Sequence, residues 1–188
     1  MVLNHMVYIS GGNELLDPVM ILNRLGVKSG LRLADLGCGG AGHFIIPAAR
    51  FVGDKTTVYA VDILKSVLQS VTSKAYFQGI KNIKPVWANL ETFGSTKIPK
   101  ESLDFVFLIN ILFQSKQDEN IIKEAERLLK TGGKLLVIDW NQNPTSFGPP
   151  PIDRIKPEVV KKICHDLNLK LIDEFEPGIY HFGLIFKK

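Results

Sequence analysis

An apolar stretch, Leu33-Ala34-Asp35-Leu36, runs straight into Gly37-Cys38-Gly39-Gly40-Ala41-Gly42, a loop with four glycines in six positions. Glycine lets a backbone turn sharply and approach a ligand closely, because no side chain stands in the way. A strand ending in such a loop, followed by a helix, forms a corner that can hold a nucleotide-like ligand. Two carboxylates flank it: Asp35 just before the loop, and Asp62 at the end of the next apolar run. An ionised carboxylate has two acceptor oxygens, which suits Asp62 to the paired hydroxyls of a ribose.

Gly37-x-Gly39-x-x-Gly42 matches the dinucleotide fingerprint literally. Two features argue against a nicotinamide or flavin enzyme. Asp35 would put negative charge beside a pyrophosphate, and nothing after the fifth apolar run is large enough for a separate hydride-transfer domain. S-adenosylmethionine fits better: it has no phosphate and carries a cationic amino group and sulfonium, which an acid at the loop entrance favours directly or through water. Methyl transfer from a sulfonium asks little of side chains, since proximity and in-line alignment supply most of the acceleration. A general base is needed only when the nucleophile must lose a proton. The candidates are His43, Asp139, Tyr180 and His181. Cys38 reads as a small packing residue within the cofactor loop rather than a nucleophile. Trp140, Phe147 and the neighbouring prolines could wall an apolar acceptor pocket. No close group of His, Cys and carboxylates has metal-ligand spacing, so no metal is expected.

These residues need a framework, and the chain alternates strand-like and helical patterns throughout. Leu31–Leu36, Thr57–Ile63, Ile83–Ala88, Leu103–Asn110 and Lys134–Trp140 read as strands, several apolar enough to be covered on both faces. Helices are predicted over Phe44–Phe51, Leu64–Gln78, Gln117–Leu129 and Pro157–Leu167, with Gly79 and Gly132-Gly133 as stops. Leu15–Leu25 reads as a preceding amphipathic helix. Asn141–Pro151, with its prolines, reads as a loop. Lys170–Phe175 and Tyr180–Phe186 are joined by a link too short for a crossover helix, so the sheet should end in an antiparallel hairpin. The expected architecture is an α/β doubly wound sheet. One domain is expected over 1–188, with an N-terminal helical cap (1–30), a cofactor-binding core (31–140) and a substrate-side loop, helix and hairpin (141–188).

The chain resembles the class I S-adenosylmethionine-dependent methyltransferases over nearly its whole length. Leu33–Gly42 is similar to the family's first motif, and Val58-Tyr59-Ala60-Val61-Asp62 to its second strand with the ribose-binding acid. Leu103-Asp104-Phe105-Val106-Phe107 is similar to its fourth strand. Leu128–Leu135, with Thr131-Gly132-Gly133, is similar to the approach to its fifth. Within the family the chain looks most like the small quinone-biosynthesis-related (type 11) branch. The resemblance implies a Rossmann-like three-layer sandwich with a seven-stranded, mostly parallel sheet of order 3-2-1-4-5-7-6, strand 7 antiparallel. It also implies that Asp35, Gly37, Cys38, Gly39, Asp62, Ile63, Ala88, Asn89, Leu90 and Asn110 contact the cofactor, with S-adenosylhomocysteine as product. Asn89 stands where an acid often binds the adenine amino group; its amide oxygen can accept the same bond. The N–H of Ala88 or Leu90 would serve an adenine ring nitrogen, and Asn110 would face the methionine part. One departure is Ala41, where the family usually has its third glycine.

Composition narrows the partners. Hydrophobic residues make up 45% of the 188 and the net charge is +4, with lysines scattered rather than massed. That disfavours nucleic acid. No Asn-Pro-Pro-Tyr or Pro-Cys motif of nucleic-acid methylation is present. The longest near-apolar run, Phe105–Phe113, is far short of the roughly 20 residues that span a bilayer. No secretory pattern opens the sequence and only Cys38 and Cys164 occur, so a cytoplasmic protein is expected. The expected function is methyl transfer to a small-molecule or lipid-like acceptor. The alternatives are an RNA or protein methyltransferase, and a non-catalytic S-adenosylmethionine-binding regulatory module.

Overall fold

A computed structural model describes residues 12–188; the first part of the expected N-terminal cap, residues 1–11, lies outside the described residues. The strands are β1 (Leu33–Leu36), β2 (Val58–Asp62), β3 (Ile83–Trp87), β4 (Leu103–Ile109), β5 (Leu129–Trp140), β6 (Lys170–Gly178) and β7 (His181–Lys187). They form one seven-stranded sheet in the order β3-β2-β1-β4-β5-β7-β6. β1 to β5 run parallel, and β7 is antiparallel to both β5 and β6. The order and the terminal hairpin are those expected from the sequence.

The sheet is covered on both faces. Helices α1 (Pro18–Leu25), α2 (Ile45–Val52) and α3 (Lys65–Phe77) bury Ile21, Leu22, Leu25, Ile45, Ala49 and Val71 in one apolar cluster. Helices α4 (Asp118–Leu128) and α5 (Pro157–Asp166) bury Ile121, Ile122, Ala125, Val160 and Cys164 in the other. Every residue of β1 is therefore buried, which explains why its sequence does not alternate.

Among the boundaries that differ from the sequence expectation, two have a clear physical cause. The first helix starts at Pro18 rather than Leu15, because the Asp17 carboxylate accepts from the N–H groups of Val19 (2.9 Å) and Met20 (3.0 Å) and fixes the N-terminus there. Asn13–Leu15 instead form a short 3-10 turn. The second difference concerns Gly132-Gly133, read as a helix stop. α4 already ends at Leu128, and Leu129 enters the sheet fully buried opposite Leu103. The next pair in register is Phe105 with Lys134, so the glycines lie in a bulge inside β5. A Cβ on Gly133 would fall 2.9 Å from the Lys130 carbonyl oxygen.

One buried polar network fixes the segment between β3 and β4 to α4. Glu124, fully buried, accepts from Arg127 (2.7 and 2.9 Å), from the Thr96 hydroxyl (2.6 Å) and from the Gly94 N–H (2.8 Å). Burial alone would raise its pKa, but these donors outweigh it and hold the carboxyl below its ordinary value. Its stabilisation is therefore present at neutral pH and lost as pH falls through that depressed value. Glu124→Ala, which removes the charge partner of Arg127 and the acceptor of the Thr96 and Gly94 donors, should cost about 3 kcal/mol. Urea denaturation checks this, and a loss below about 1 kcal/mol would mean the network contributes little.

Candidate functional site

A cleft of about 550 Å³ opens at the carboxyl ends of β1 to β4. Ligands of α/β sheets commonly bind there, where helices leave the sheet on opposite faces. Gly37, Cys38, Gly39, Asp62, Ile63, Ala88, Asn89, Leu90 and Asn110 all line it. Four separate strand ends thus bring nine of the ten expected cofactor residues to one cavity. The tenth, Asp35, lies beneath the loop, 3% exposed and outside the lining.

The loop is held from behind, leaving its front open. The N–H groups of Gly37 and Cys38 both donate to the Val61 carbonyl, at 2.8 and 3.0 Å. Asp62 bridges the two strand ends: its Oδ2 accepts from the Gly39 N–H (3.4 Å) and its Oδ1 from the Leu64 N–H (2.9 Å). Gly37 has a positive φ and passes so near Ile111 that a Cβ would fall 2.2 Å from it. Gly39 has no atom of the described residues within 4 Å of a Cβ position. Ala41 is exposed and not left-handed, so its methyl is accommodated. The close packing falls on Gly42, where a Cβ would meet Ile46 and Val71 at 2.8 Å. Glycine is thus needed at position 42, where α2 and α3 close on the loop, and not at 41.

Asp35 is pushed up to about 7, first by burial and second by the negative charge of Asp62. Burial also raises the Cys38 thiol, with the two carboxylates adding to it, so it is inert as a nucleophile. Two adjacent carboxylates at the end of the central strands make this end of the cleft favourable to a cation.

On the far wall, β4 ends at Asn110, a left-handed residue with φ 53°. Its N–H donates to the Ile138 carbonyl (2.8 Å), and its Nδ2 donates to Asn13 Oδ1 (2.8 Å). Asn110 Oδ1 is buried and has no hydrogen-bond partner among the described residues. Toward the other end, Asn89 Oδ1 accepts from the Glu91 N–H (3.0 Å), leaving one lone pair for a ligand. Of the two N–H groups expected to meet a ring nitrogen, that of Ala88 is occupied, donating to the Asp62 carbonyl at 3.1 Å. Leu90 is left for that role.

None of the four expected general-base candidates lines the cleft. His43 Nε2 is 2.9 Å from the Leu16 carbonyl, tying the N-terminal segment to the loop. Tyr180 packs edge-on against Phe147. His181 is fully buried and lowered to about 4, first by burial and then by Arg154. Asp139 is fully buried: Oδ2 accepts from the N–H groups of Leu112 (3.0 Å) and Phe113 (3.3 Å), and Oδ1 from that of Trp140 (2.8 Å). Burial raises its carboxyl to about 7 against the pull of these donors. Asp139 thus suspends the loop after β4, and with it Asn110, from the end of β5. Trp140 and Phe147, expected to wall an acceptor pocket, lie outside this cleft, Trp140 only 1% exposed.

The structure adds residues that sequence reasoning missed. Asn13 and Glu14 cross the cleft from the N-terminal side, and Gln114 and Ser115 close it beyond Asn110. Position after the β4 strand end was a usable signal for the last two. Asn13 carries no local signal, because its role depends on a contact 97 residues away.

An S-adenosylmethionine molecule fits these groups. The cavity has the volume of a small-cofactor site. Gly39 leaves a cradle that a side chain would fill, Asp62 stands on the rim, and Asn110 Oδ1 is an orphaned acceptor for a cationic amino group.

Comparison with known proteins agrees. Residues 27–174 match the family model described as "Methyltransferase domain". The chain is 29% identical over 128 residues to the demethylmenaquinone methyltransferase of Geobacillus kaustophilus, covering 68% of this chain and 53% of that protein. It is 30% identical over 135 residues to a ubiquinone/menaquinone biosynthesis C-methyltransferase of Vibrio parahaemolyticus, covering 71% and 51%. The chain therefore spans about half the length of the curated relatives it matches. The crystal structure of an S-adenosylmethionine-dependent methyltransferase from Aquifex aeolicus superposes with a TM-score of 0.83 at 25% identity, covering 95% of this chain and 93% of that one. With its glycine-loop cleft, its sheet order and a family model that matches most of its length, the chain belongs to the methyltransferase-domain family.

Proposed function

We propose that this protein transfers a methyl group from S-adenosylmethionine to a small-molecule or lipid-like acceptor. The observation that carries the reading is the convergence of Asp62, the open glycine loop and the orphaned oxygen of Asn110 on one cleft. When bound, the cofactor supplies a methyl on a sulfonium, a strong leaving group. In this reading Asp62 accepts from the ribose hydroxyls. Asn110 Oδ1 accepts from the amino group, and the Leu90 N–H with the Asn89 amide reads the adenine edge. Ionised Asp35 favours the cationic end from beneath the loop.

In this reading the base candidates, which lie outside the cleft, act by holding rather than by proton transfer. Asp139 spends its oxygens on three backbone N–H groups. His43 spends a ring nitrogen on Leu16. Such an arrangement suits a reaction in which alignment supplies most of the acceleration. The quinone-biosynthesis names of the relatives support a small, apolar acceptor. No helix among the described residues is long and apolar enough to cross a membrane.

Three measurements test this. Mass spectrometry of a cell extract incubated with the protein and isotopically labelled S-adenosylmethionine should reveal a labelled small-molecule product. Label appearing only in RNA or protein would overturn the acceptor class, and cofactor binding with no label transfer would favour a regulatory module. Asp62→Ala should weaken S-adenosylmethionine binding by about tenfold to a hundredfold, the loss of charge-assisted hydrogen bonds; unchanged affinity would remove Asp62 from the ribose role. The third concerns pH. Asp35 in the free protein is largely protonated below about 7 and a bound cation favours its ionised form. Affinity should therefore rise by up to about tenfold from about pH 6 to about pH 8, and Asp35→Asn should flatten that slope. A slope persisting in Asp35→Asn would point to another titrating group.

A further inference from the structure

Beyond Asn110, on the side away from Asn89, the strand ends of β5 and β7 bring a second group of polar atoms together. Trp140 and His181 are opposite each other in register, with ring centroids 4.5 Å apart. Trp140 Nε1 and both ring nitrogens of His181 are buried and make no hydrogen bond among the described residues. Buried polar groups are nearly always paired, so three orphaned nitrogens in one contact call for a ligand that pairs them. Arg154, 5% exposed, lies over the Trp140 ring at 5.6 Å. Its hydrogen bonds go to the carbonyls of Pro149, Asn141 and Asn143. Phe147 meets Trp140 edge-on at 6.1 Å, and Tyr180 meets Phe147 at 5.0 Å.

Backbone also lies against this cluster, at two glycines. A Cβ on Gly12 would fall 2.4 Å from the Trp140 ring, and one on Gly148 would fall 2.6 Å from it. The two glycines belong to separate segments, the N-terminal strap and the loop after β5. The strap does not stop there. Its next residue, Asn13, accepts the Asn110 amide, and Glu14 lines the cofactor cleft. The same three residues therefore close the aromatic cluster and wall the cleft.

We propose that Trp140 and His181 form the subsite that reads the methyl acceptor, and that they take a hydroxyl-bearing small molecule when the Gly12 and Gly148 segments part. This rests on the methyltransferase reading above. Trp140 Nε1–H is a donor only, whereas neutral imidazole offers one donor and one acceptor. A hydroxyl group accepts from the first and donates to the second, and the apolar remainder of the molecule lies against Phe147 and Tyr180. Burial keeps His181 neutral at physiological pH, as this pairing requires. The two residues act here as specificity determinants, with no proton transfer assigned to them.

The chain has two tryptophans, so Trp87→Phe leaves Trp140 as the sole tryptophan, whose emission is excited selectively at the red edge of the absorption band. In that background phenol should perturb Trp140 emission saturably, and toluene, which lacks the hydroxyl, should bind weaker by about tenfold or more. His181→Phe should abolish the preference, and His181→Gln, which keeps a donor and an acceptor, should retain it. Calorimetric affinity for S-adenosylmethionine should stay within about twofold in both variants, which also reports that they fold. Equal binding of phenol and toluene, no saturable signal from phenol, or a preference that survives His181→Phe would overturn the proposal. Failure of the parent protein to bind S-adenosylmethionine would overturn the cofactor reading instead, and leaves the phenol preference to be judged separately.

Discussion

The carboxyl of Asp35 is buried at the end of the sheet's central strand, beside the carboxylate of Asp62 on the next strand. Burial, and after it the negative charge of Asp62, makes the charge of Asp35 hard to keep. An arrangement of this kind is unfavourable for the empty protein and favourable to a positively charged ligand. It also opposes a pyrophosphate, whatever the spacing of the nearby glycines. The rest of the cleft is built around that constraint: the glycine loop is pinned to Val61 and Asp62, and Gly39 and Asp62 line the same cavity.

The opposite wall depends on a different carboxyl. Asp139 gathers the N–H groups of Leu112, Phe113 and Trp140, and so ties the loop after β4 to the end of β5. That tether holds Asn110 in its left-handed conformation with Asn13 across it. A residue that looked from its type like a base is thus a positioning residue. Its function is geometric, and alignment is what methyl transfer from a sulfonium chiefly requires.

Much of this was legible in the residues. The sheet could be read because its inner strands are buried on both faces and their apolar runs have few interpretations. The cofactor wall could be read because its residues follow strand ends, where local sequence and position agree. Boundaries set by long-range contact could not. Leu129 is drawn into β5 by Leu103, which overrode the glycines that follow it. The contacts of Asn13, His43 and Asp139 are to partners distant in sequence, so residue type alone did not reveal that the last two hold backbone groups. Trp140 was expected in a pocket wall; it lies under two glycines, a close approach that only the folded backbone reveals.

The central claim is that this cleft holds a cationic adenosyl cofactor rather than a dinucleotide. Calorimetric titration of the protein with S-adenosylmethionine, S-adenosylhomocysteine and NAD tests it most directly. The account predicts saturable binding of the first two at one molecule per chain and none of NAD. Tight binding of NAD with no heat from the adenosyl compounds would contradict it.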